Sequence, residues 1–272
     1  MSGPVRTTQE TGLSLGAIGL GIMGSAIARN CVEAGFKVLG FVSSPQGGNR
    51  AGVAVPLLLI SMMGGRLIPS FTRNWLARVD RAGRMPAPFG TVDRVALGAV
   101  ALALLAWVVA PGAAASSWAA LAAGLLLLGR LARWQGWRTW REPLLLVLHV
   151  GYTWLAGGFL LLGIAGLTGW LAPADAVHGL TIGAIGTMIL AVMTRATLGH
   201  TDRALHAGPG TCAAYVLVGL AALLRVAAPL AGGDTLLLLM LAGAAWSGAF
   251  GLFVVLYFGP LTRPRVRCPD TP

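Results

Sequence analysis

The sequence predicts an all-α polytopic membrane protein, a bundle of about seven transmembrane helices, and three observations support this. Hydrophobic residues make up 56% of the 272 residues, charged residues only 11%, and the mean hydropathy is +0.76, all far from the averages of soluble domains. Seven long apolar stretches follow residue 50. Loops that carry arginine alternate with loops that carry none, as expected when basic loops stay on the cytoplasmic side.

Each predicted span is an apolar stretch of the length that a membrane helix requires, about 20 residues for a hydrocarbon core of about 30 Å. The stretches 143–169 and 235–258 meet this length outright, whereas 115–130 is short and needs arginines at its end that reach the head groups. The seven predicted spans are 51–68, 92–110, 115–130, 143–169, 178–196, 212–231 and 235–258.

The basic residues indicate topology rather than nucleic-acid binding. The chain has 20 Lys and Arg against 9 Asp and Glu, a net charge of +11, and most of the basic residues lie in short loops between apolar spans. The basic segments are Arg66–Arg94, Arg130–Arg141, Arg195–Arg203 and the carboxyl-terminal tail. We therefore expect a cytoplasmic carboxyl terminus, contact with the lipid bilayer and no nucleic-acid partner. Seven helices then place residue 51 on the outer face.

The amino terminus carries a different pattern. Residues 14–42 contain a GxGxxG motif, Gly19, Gly21 and Gly24, between two strand-like runs. Such glycines allow a tight turn and bring the backbone close to a pyrophosphate at a helix amino terminus. This stretch predicts a Rossmann-like βαβ stub and resembles the start of the 3-hydroxyisobutyrate dehydrogenases.

The dehydrogenase resemblance covers only about 30 residues, and no complete parallel sheet or catalytic domain follows it. The second strand-like run is followed by Ser43, Ser44 and Pro45, where an acidic residue would bind the cofactor ribose. We therefore expect no NAD binding. Residues 1–50 are interpreted as a stub and linker, a dehydrogenase fragment fused to a transmembrane domain of residues 51–272. An alternative interpretation makes 13–28 an eighth membrane helix, which would return the amino terminus to the cytoplasm.

Three motifs in the membrane part occur together in one known family. They are Gly64-Gly65-Arg66-Leu67-Ile68-Pro69-Ser70-Phe71-Thr72-Arg73-Asn74, Arg133-Trp134-Gln135-Gly136-Trp137-Arg138-Thr139-Trp140-Arg141-Glu142-Pro143 and the run HGLTIGAIGTMILAVMTRATLGHT from His178 to Thr201. With these motifs, the chain resembles the NnrS family of bacterial inner-membrane proteins from about Pro56 to Pro264.

The NnrS resemblance implies a protein of about twelve membrane helices that is linked to nitric oxide and nitrosative stress and contains haem and copper. The chain resembles the carboxyl-terminal part of such a protein. The family's first five or so helices, with a histidine-rich motif, are expected to be replaced by the dehydrogenase-like stub.

Three histidines are candidate metal ligands, because neutral imidazole ligates both haem iron and copper. His149 lies two turns into the fourth predicted span, where a polar side chain usually faces the bundle interior. His178 and His200 flank the fifth span and are 22 residues apart, about 33 Å along a continuous helix, so they cannot share one metal. His149 and His200 could share one if their helices touch. The alternative for each histidine is a hydrogen bond between helices or a place at the interface.

Three arginines are candidate cofactor ligands, because the guanidinium fork suits a haem propionate or another anion. They are Arg195, Arg66 and Arg73; the alternative is that each is an anchor whose head lies at the membrane surface. Arg225 lies inside the sixth predicted span, with no acidic residue on its own helix to pair with.

The remaining patterns concern packing and function class. Trp134, Trp137 and Trp140 alternate with arginines and predict an interfacial helix, and Gly179, Gly183 and Gly186 predict close helix contact. The membrane part shows no catalytic motif, so we do not expect an enzyme. The alternatives to an NnrS-type role are a transporter or channel with a polar cavity, a truncated or fused non-functional product, and an NAD(P)-dependent dehydrogenase.

Overall fold

The computed structural model describes residues 14–18, 37–41, 45–79 and 83–262. The chain divides into two compact units, Met1–Pro56 and Leu57–Pro272, and each is considered separately.

The described part of the amino-terminal unit contains two strands, β1 (Ser14–Ile18) and β2 (Lys37–Phe41). They pair in parallel, with Ser14 opposite Lys37 and Ile18 opposite Phe41. The glycine motif between the strands lies outside the described residues, so the Rossmann-like stub stays a prediction.

The other secondary-structure elements of the described chain are helices. The α-helices, in chain order, are α1 (Pro45–Leu59), α2 (Gly65–Val79), α3 (Thr91–Val109), α4 (Ala114–Ala132), α5 (Pro143–Thr168), α6 (Pro173–His178), α7 (Thr187–His200), α8 (Pro209–Ala227) and α9 (Thr235–Thr262). Two π-helical segments, Ile60–Gly64 and Gly179–Gly186, join α1 to α2 and α6 to α7.

Within the described residues, seven helical stretches are long and apolar enough to cross a membrane, which matches the predicted number. They are Arg50–Val79, Thr91–Val109, Ala114–Ala132, Pro143–Thr168, Pro173–His200, Pro209–Leu230 and Gly232–Thr262. We refer to them as the first to the seventh span. The chain is accordingly a multi-pass helical membrane protein.

The first and fifth spans are longer than predicted. The first continues past Arg66 to Val79, because Arg66, Arg73 and Arg78 all lie on exposed positions of the helix and do not interrupt it. The fifth begins at Pro173, so His178 lies more than a turn inside the helix rather than at its start, and His200 is the last helical residue. Because this span is continuous, His178 and His200 lie at its opposite ends.

Small residues allow the helices to approach closely, as the glycines of the fifth span predicted. A Cβ atom at Gly183 would lie 2.6 Å from the Trp154 ring, and one at Gly186 would lie 2.5 Å from Trp246. In the same way, a Cβ atom at Gly163 would lie 2.7 Å from the carbonyl oxygen of Ser117 in the third span. These contacts join the third span to the fourth, the fourth to the fifth, and the fifth to the seventh.

The tryptophan segment between the third and fourth spans differs from the prediction. It forms a four-residue 3-10 turn, Gly136–Thr139, after Gln135, whose φ of 54° reverses the chain direction. Trp137 and Trp140 are exposed, as expected at an interface, but Trp134 is only 1% exposed. The prediction of an interfacial helix over Trp134, Trp137 and Trp140 was therefore wrong, because the left-handed Gln135 interrupts the helix after Trp134, which lies in the core.

Candidate functional site

A buried polar cluster joins the first four spans at one end of the bundle. Its central residue is Arg130 in α4, whose side chain is fully buried and whose Nε donates to Asp93 Oδ1 of α3 at 2.7 Å. Arg130 Nη1 donates to the backbone carbonyl of Ser61 and to the Tyr152 hydroxyl, both at 2.9 Å. We call Asp93, Arg130, Tyr152 and the Ser61 carbonyl the arginine cluster.

Further contacts surround the arginine cluster on each side. Asp93 Oδ2 accepts from the Gly90 backbone N–H at 2.9 Å and lies 3.5 Å from Arg133 Nη1. Gly65 of α2 lies directly against the Arg130 guanidinium, which a Cβ atom at this position would overlap. A charge taken out of water is tolerated only when its partners are in place. The cluster therefore requires the first, second, third and fourth spans to be assembled together.

Aromatic rings cover the guanidinium of Arg130. Its Cζ lies 5.4 Å from the Trp134 ring centroid and 5.9 Å from that of Phe89. Trp134 in turn packs on Tyr152, with 4.6 Å between ring centroids. These distances are within the range of cation–π attraction, which gains strength where water is excluded. Trp134 is thus part of the cluster's wall rather than a membrane anchor.

His149, a predicted metal ligand, lies beside this cluster and is 4% exposed. Its Nε2 is 2.9 Å from Thr72 Oγ1, and the same hydroxyl is 2.8 Å from the Ile68 carbonyl. Because a carbonyl can only accept, we assign the Thr72 proton to Ile68 and a proton to His149 Nε2. His149 Nδ1 then carries a lone pair, and it has no hydrogen-bond partner among the described residues.

The surroundings of His149 Nδ1 are tight. A Cβ atom at Gly136 would lie 2.5 Å from Nδ1, so the ring is packed against the turn that follows Gln135. Trp134 lies on another side, with its centroid 6.4 Å from the imidazole. The imidazole therefore links the first span, the tryptophan turn and the fourth span, and its prediction as a metal ligand stays a prediction.

A cavity of about 650 Å³ lies between the first and fifth spans. We call it the apolar cavity. Its wall from the first span and α5 consists of Leu59, Ile60, Met63, Gly64, Leu67, Ile68, Phe71 and Leu148. Its wall from α7 and the following loop consists of Met188, Val192, Arg195, Ala196, Gly199, His200 and Leu205. Ligand pockets are typically about 300–1,000 Å³ and mostly apolar, with few polar groups.

Two of the predicted site residues line this cavity together. Arg195 and His200 both lie on α7, and Met188, Val192 and Arg195 follow helical spacing along its cavity face. Arg195 is half-buried, and its Cζ lies 4.2 Å from the Phe71 ring centroid. The neighbour of His149, Leu148, lines the cavity, whereas His149 is not among its lining residues. The cavity thus combines an apolar interior with one guanidinium and one imidazole.

The other predicted residues lie elsewhere. Arg66 is exposed, with its Cζ 5.7 Å from the Phe89 ring. Arg73 is also exposed and donates to the Pro86 carbonyl at 3.1 Å. His178 lies at the far end of the fifth span, where its Nδ1 is 3.3 Å from the Asp175 carbonyl. The three residues are therefore not assembled with Arg195 and His200 around the apolar cavity.

Arg225 has the partner that its own helix lacks. Its Nη1 lies 3.3 Å from Asp175 Oδ1 at the start of the fifth span. Both side chains are about a quarter exposed, so this pair lies at the edge of the bundle and is more solvated than the arginine cluster. In the part of the chain that the structure describes, no three His, Cys, Asp or Glu side chains form a group that could hold a metal ion.

The comparison with known families identifies the chain. A family model described as NnrS protein matches residues 7–265. This chain belongs to the NnrS family. The match begins at residue 7 rather than near Pro56, so it includes the segment that resembles a dehydrogenase, and the dehydrogenase resemblance gains no support from it. No curated protein and no solved structure matches the chain.

For this NnrS chain, sequence reasoning found the cavity arginine and histidine but missed the arginine cluster. Arg130 was expected to reach the head groups, yet it is fully buried with Asp93. Asp93 was the available signal, because an acidic residue at the start of an apolar span needs a partner. Arg130 is the basic residue that the third span provides near its end.

Proposed function

We propose that this NnrS protein acts in the nitric oxide stress response in the bacterial inner membrane by holding a haem in the apolar cavity. One observation carries the proposal: Arg195 and His200 lie on the wall of an otherwise apolar cavity, and its volume of about 650 Å³ is suited to a haem. The family resemblance implies haem, and this cavity offers what haem needs: apolar contact for the ring, an imidazole for iron and a guanidinium for a propionate.

His200 would supply an imidazole nitrogen to the haem iron, and Arg195 would pair with a propionate. Phe71 supports Arg195 through the stacked ring at 4.2 Å. Met188, at the other end of the cavity face, has a thioether that could bind the iron in place of His200, since the two are too far apart on α7 to bind it together. When bound, haem would supply an iron centre able to take nitric oxide. The protein's own contribution would be to orient the ring and exclude water.

Copper fits the described residues less well than haem. His149 would have to release Thr72 to ligate through Nε2, and its Nδ1 lies against Gly136. No set of three ligating side chains converges in the described part of the chain. We therefore assign no chemical step to copper here.

The transporter alternative predicts a polar cavity. The cavity between the first and fifth spans is instead lined mainly by aliphatic side chains, with Arg195 and His200 at one end. An apolar or amphipathic guest suits these walls better than a polar solute, which would leave its hydrogen bonds unmade. This contrast favours haem binding as the first function to test. No catalytic role is proposed.

The test is a visible spectrum and iron analysis of the full chain, purified from membranes in detergent and loaded with hemin. We expect a Soret band at one haem per chain. His200→Ala should shift or abolish it, and Arg195→Gln should weaken haem retention. His206→Ala is the matched control, because His206 is an exposed loop histidine outside the cavity.

Two results would count against the proposal. One is well-folded protein that binds no hemin, and the other is a Soret band that both cavity variants leave unchanged. The nitric oxide role has its own readout: cells that lack the protein should grow more slowly under a nitric oxide donor. Complementation with the His200→Ala variant should fail if the cavity is responsible, whereas His206→Ala should restore growth.

A further inference from the structure

A second cavity lies where the first span ends and the third span turns into the fourth, and it is independent of the haem proposal. Its volume is about 1,110 Å³. Four arginines from three chain segments line it, together with one amide and one indole: Arg73, Arg84, Arg133, Arg138, Gln135 and Trp137. We call it the basic cleft. No acidic side chain of the described residues is among its lining.

Hydrogen bonds fix the two sides of the basic cleft relative to each other. Gln135 Nε2 donates to the Met85 carbonyl at 3.3 Å, and Ala87 N–H donates to the Arg133 carbonyl at 3.2 Å. Arg138 Nη1 donates to Gln135 Oε1 at 2.7 Å and also to the Arg84 carbonyl. The segment that carries Arg84 is thus fixed to the turn that carries Gln135. Arginines ordered before binding lose less entropy when a ligand arrives.

Asp93 is a carboxylate of the described residues that lies near the basic cleft. It is 3% exposed with both oxygens engaged, Oδ1 by Arg130 and Oδ2 by Gly90 and Arg133. Arg73 and Arg84 are exposed, and Arg133 is about a third exposed. Several guanidiniums that face one cleft attract an anion with several acceptor oxygens. Phosphate suits this arrangement because its oxygens accept bidentate guanidinium bonds.

A smaller groove adjoins the basic cleft and shares Trp137 and Arg138 with it. The groove has a volume of about 450 Å³ and is lined by Trp75, Leu76, Val79, Trp137 and Trp140, together with Arg138 and Arg141. Trp137 and Trp140 are 65% and 63% exposed. Exposed tryptophans beside arginines are typical of the membrane–water interface. The groove therefore lies where the glycerol and first methylenes of a lipid would be.

We propose that the basic cleft and the tryptophan groove form one binding site for an anionic phospholipid. The phosphate head group lies in the cleft among the arginines, and the start of the acyl chains lies along the groove. A soluble phosphate would use the arginines alone, whereas the adjoining aromatic groove favours a phosphate that carries apolar chains. Basic pockets at the ends of membrane helices are suited to such head groups.

The test uses the full chain in neutral detergent, with native mass spectrometry counting bound lipids. Phosphatidylglycerol and phosphatidylcholine with the same acyl chains are compared. We expect a preference of about tenfold for the anionic lipid, because the choline cation of phosphatidylcholine is repelled by the arginines of the cleft. Equal retention of the two lipids would overturn the proposal.

Variants locate the site. Arg73→Gln and Arg84→Gln should each weaken phosphatidylglycerol binding by about tenfold. Arg94→Gln is the matched control, because Arg94 is an exposed arginine outside the cleft; it should change binding by about twofold or less. Arg84→Lys keeps the positive charge but lacks the planar guanidinium, so its loss of phosphatidylglycerol binding should lie between the losses of Arg84→Gln and Arg94→Gln. This variant gives a result even if one glutamine variant folds poorly. Equal losses in the Arg84 and Arg94 variants would contradict the assignment.

Competition by inorganic phosphate and a variant of the groove distinguish a lipid phosphate from a soluble phosphate. Trp140→Ala changes the groove but not the lining of the cleft, so it should weaken phosphatidylglycerol binding without affecting any weak binding of inorganic phosphate. If inorganic phosphate at millimolar concentration displaced the lipid fully, and Trp140→Ala left lipid binding unchanged, the cleft would be a site for a soluble anion and the lipid proposal would be wrong. The haem spectrum of Arg84→Gln should stay that of the wild type, so failure of one proposal does not affect the other.

Discussion

Arg130 Nε and Asp93 Oδ1 lie 2.7 Å apart inside the bundle, with side-chain exposures of 0% and 4%. The two residues come from adjacent spans. Arg130 also donates to the Ser61 carbonyl of the first span and to the Tyr152 hydroxyl of the fourth span. A buried pair contributes little net stability against a well-packed apolar replacement, but loss of one partner leaves an uncompensated charge. Arg130 and Asp93 therefore act chiefly to specify how four spans assemble.

Asp93→Asn should destabilise the protein strongly, by about 3–5 kcal/mol, because it leaves the Arg130 charge unpaired in a dry interior. Asp175→Asn is the control, since its pair with Arg225 is partly solvated; it should cost about 1 kcal/mol or less. Thermal unfolding in detergent, followed by tryptophan fluorescence, measures both. The double variant Asp93→Leu/Arg130→Met should recover part of the loss, and similar effects of the two single variants would contradict this account.

Gly65→Ala should destabilise the protein, because the added methyl group overlaps the buried Arg130 guanidinium. Overpacking of this kind typically costs about 1–3 kcal/mol. Gly98→Ala provides the matched control, since a Cβ atom at Gly98 meets nothing within 4 Å. It should be neutral or stabilising by about 0.5–1 kcal/mol, because alanine favours the helix. Unfolding temperatures that fall in both variants would show that the space around Arg130 is not the cause.

Thr72→Val should remove the acceptor of His149 Nε2–H and leave a buried donor unpaired. The expected cost is about 1–3 kcal/mol. Thr168→Val removes a comparable hydroxyl bond to the backbone at an exposed position and should have a much smaller effect. Nitrogen-15 NMR of histidine-labelled protein should also show His149 as the Nε2–H tautomer, assigned by comparison with His149→Gln. A proton found on Nδ1 would refute the hydrogen-bond assignment.

The alternating basic loops predict that the carboxyl terminus is cytoplasmic. A green fluorescent protein fused after residue 272 should then be fluorescent, and alkaline phosphatase fused at the same point should be inactive. Fusions at Gly112, in the loop after the second span, should give the opposite pair of results. Active phosphatase at the carboxyl terminus would reverse the orientation and place the basic cleft in the outer leaflet.

The spans themselves were predictable from sequence, because a membrane helix must be long, apolar and free of unpaired charge in its centre. The seven predicted segments correspond to the seven long apolar helices of the described residues. Their ends were less predictable, since basic side chains at exposed helical positions extend a helix past the hydrocarbon, as Arg66 and Arg73 do in the first span. The motifs also predicted the NnrS family, which the match over residues 7–265 confirms.

Partners across the bundle were not predictable, because pairing depends on which helices touch and how each is rotated. Arg195 and His200 could be proposed as site residues from their types, but only the packing of α7 beside the first span places them on one apolar cavity. Arg130 resembled a surface anchor until its contact with Asp93, 37 residues away in the chain, was known. Composition and spacing thus determined that the chain crosses the membrane repeatedly, and three motifs indicated its family by resemblance. The tertiary structure decided which polar groups meet inside, because a buried charge is stable only beside partners supplied by other helices.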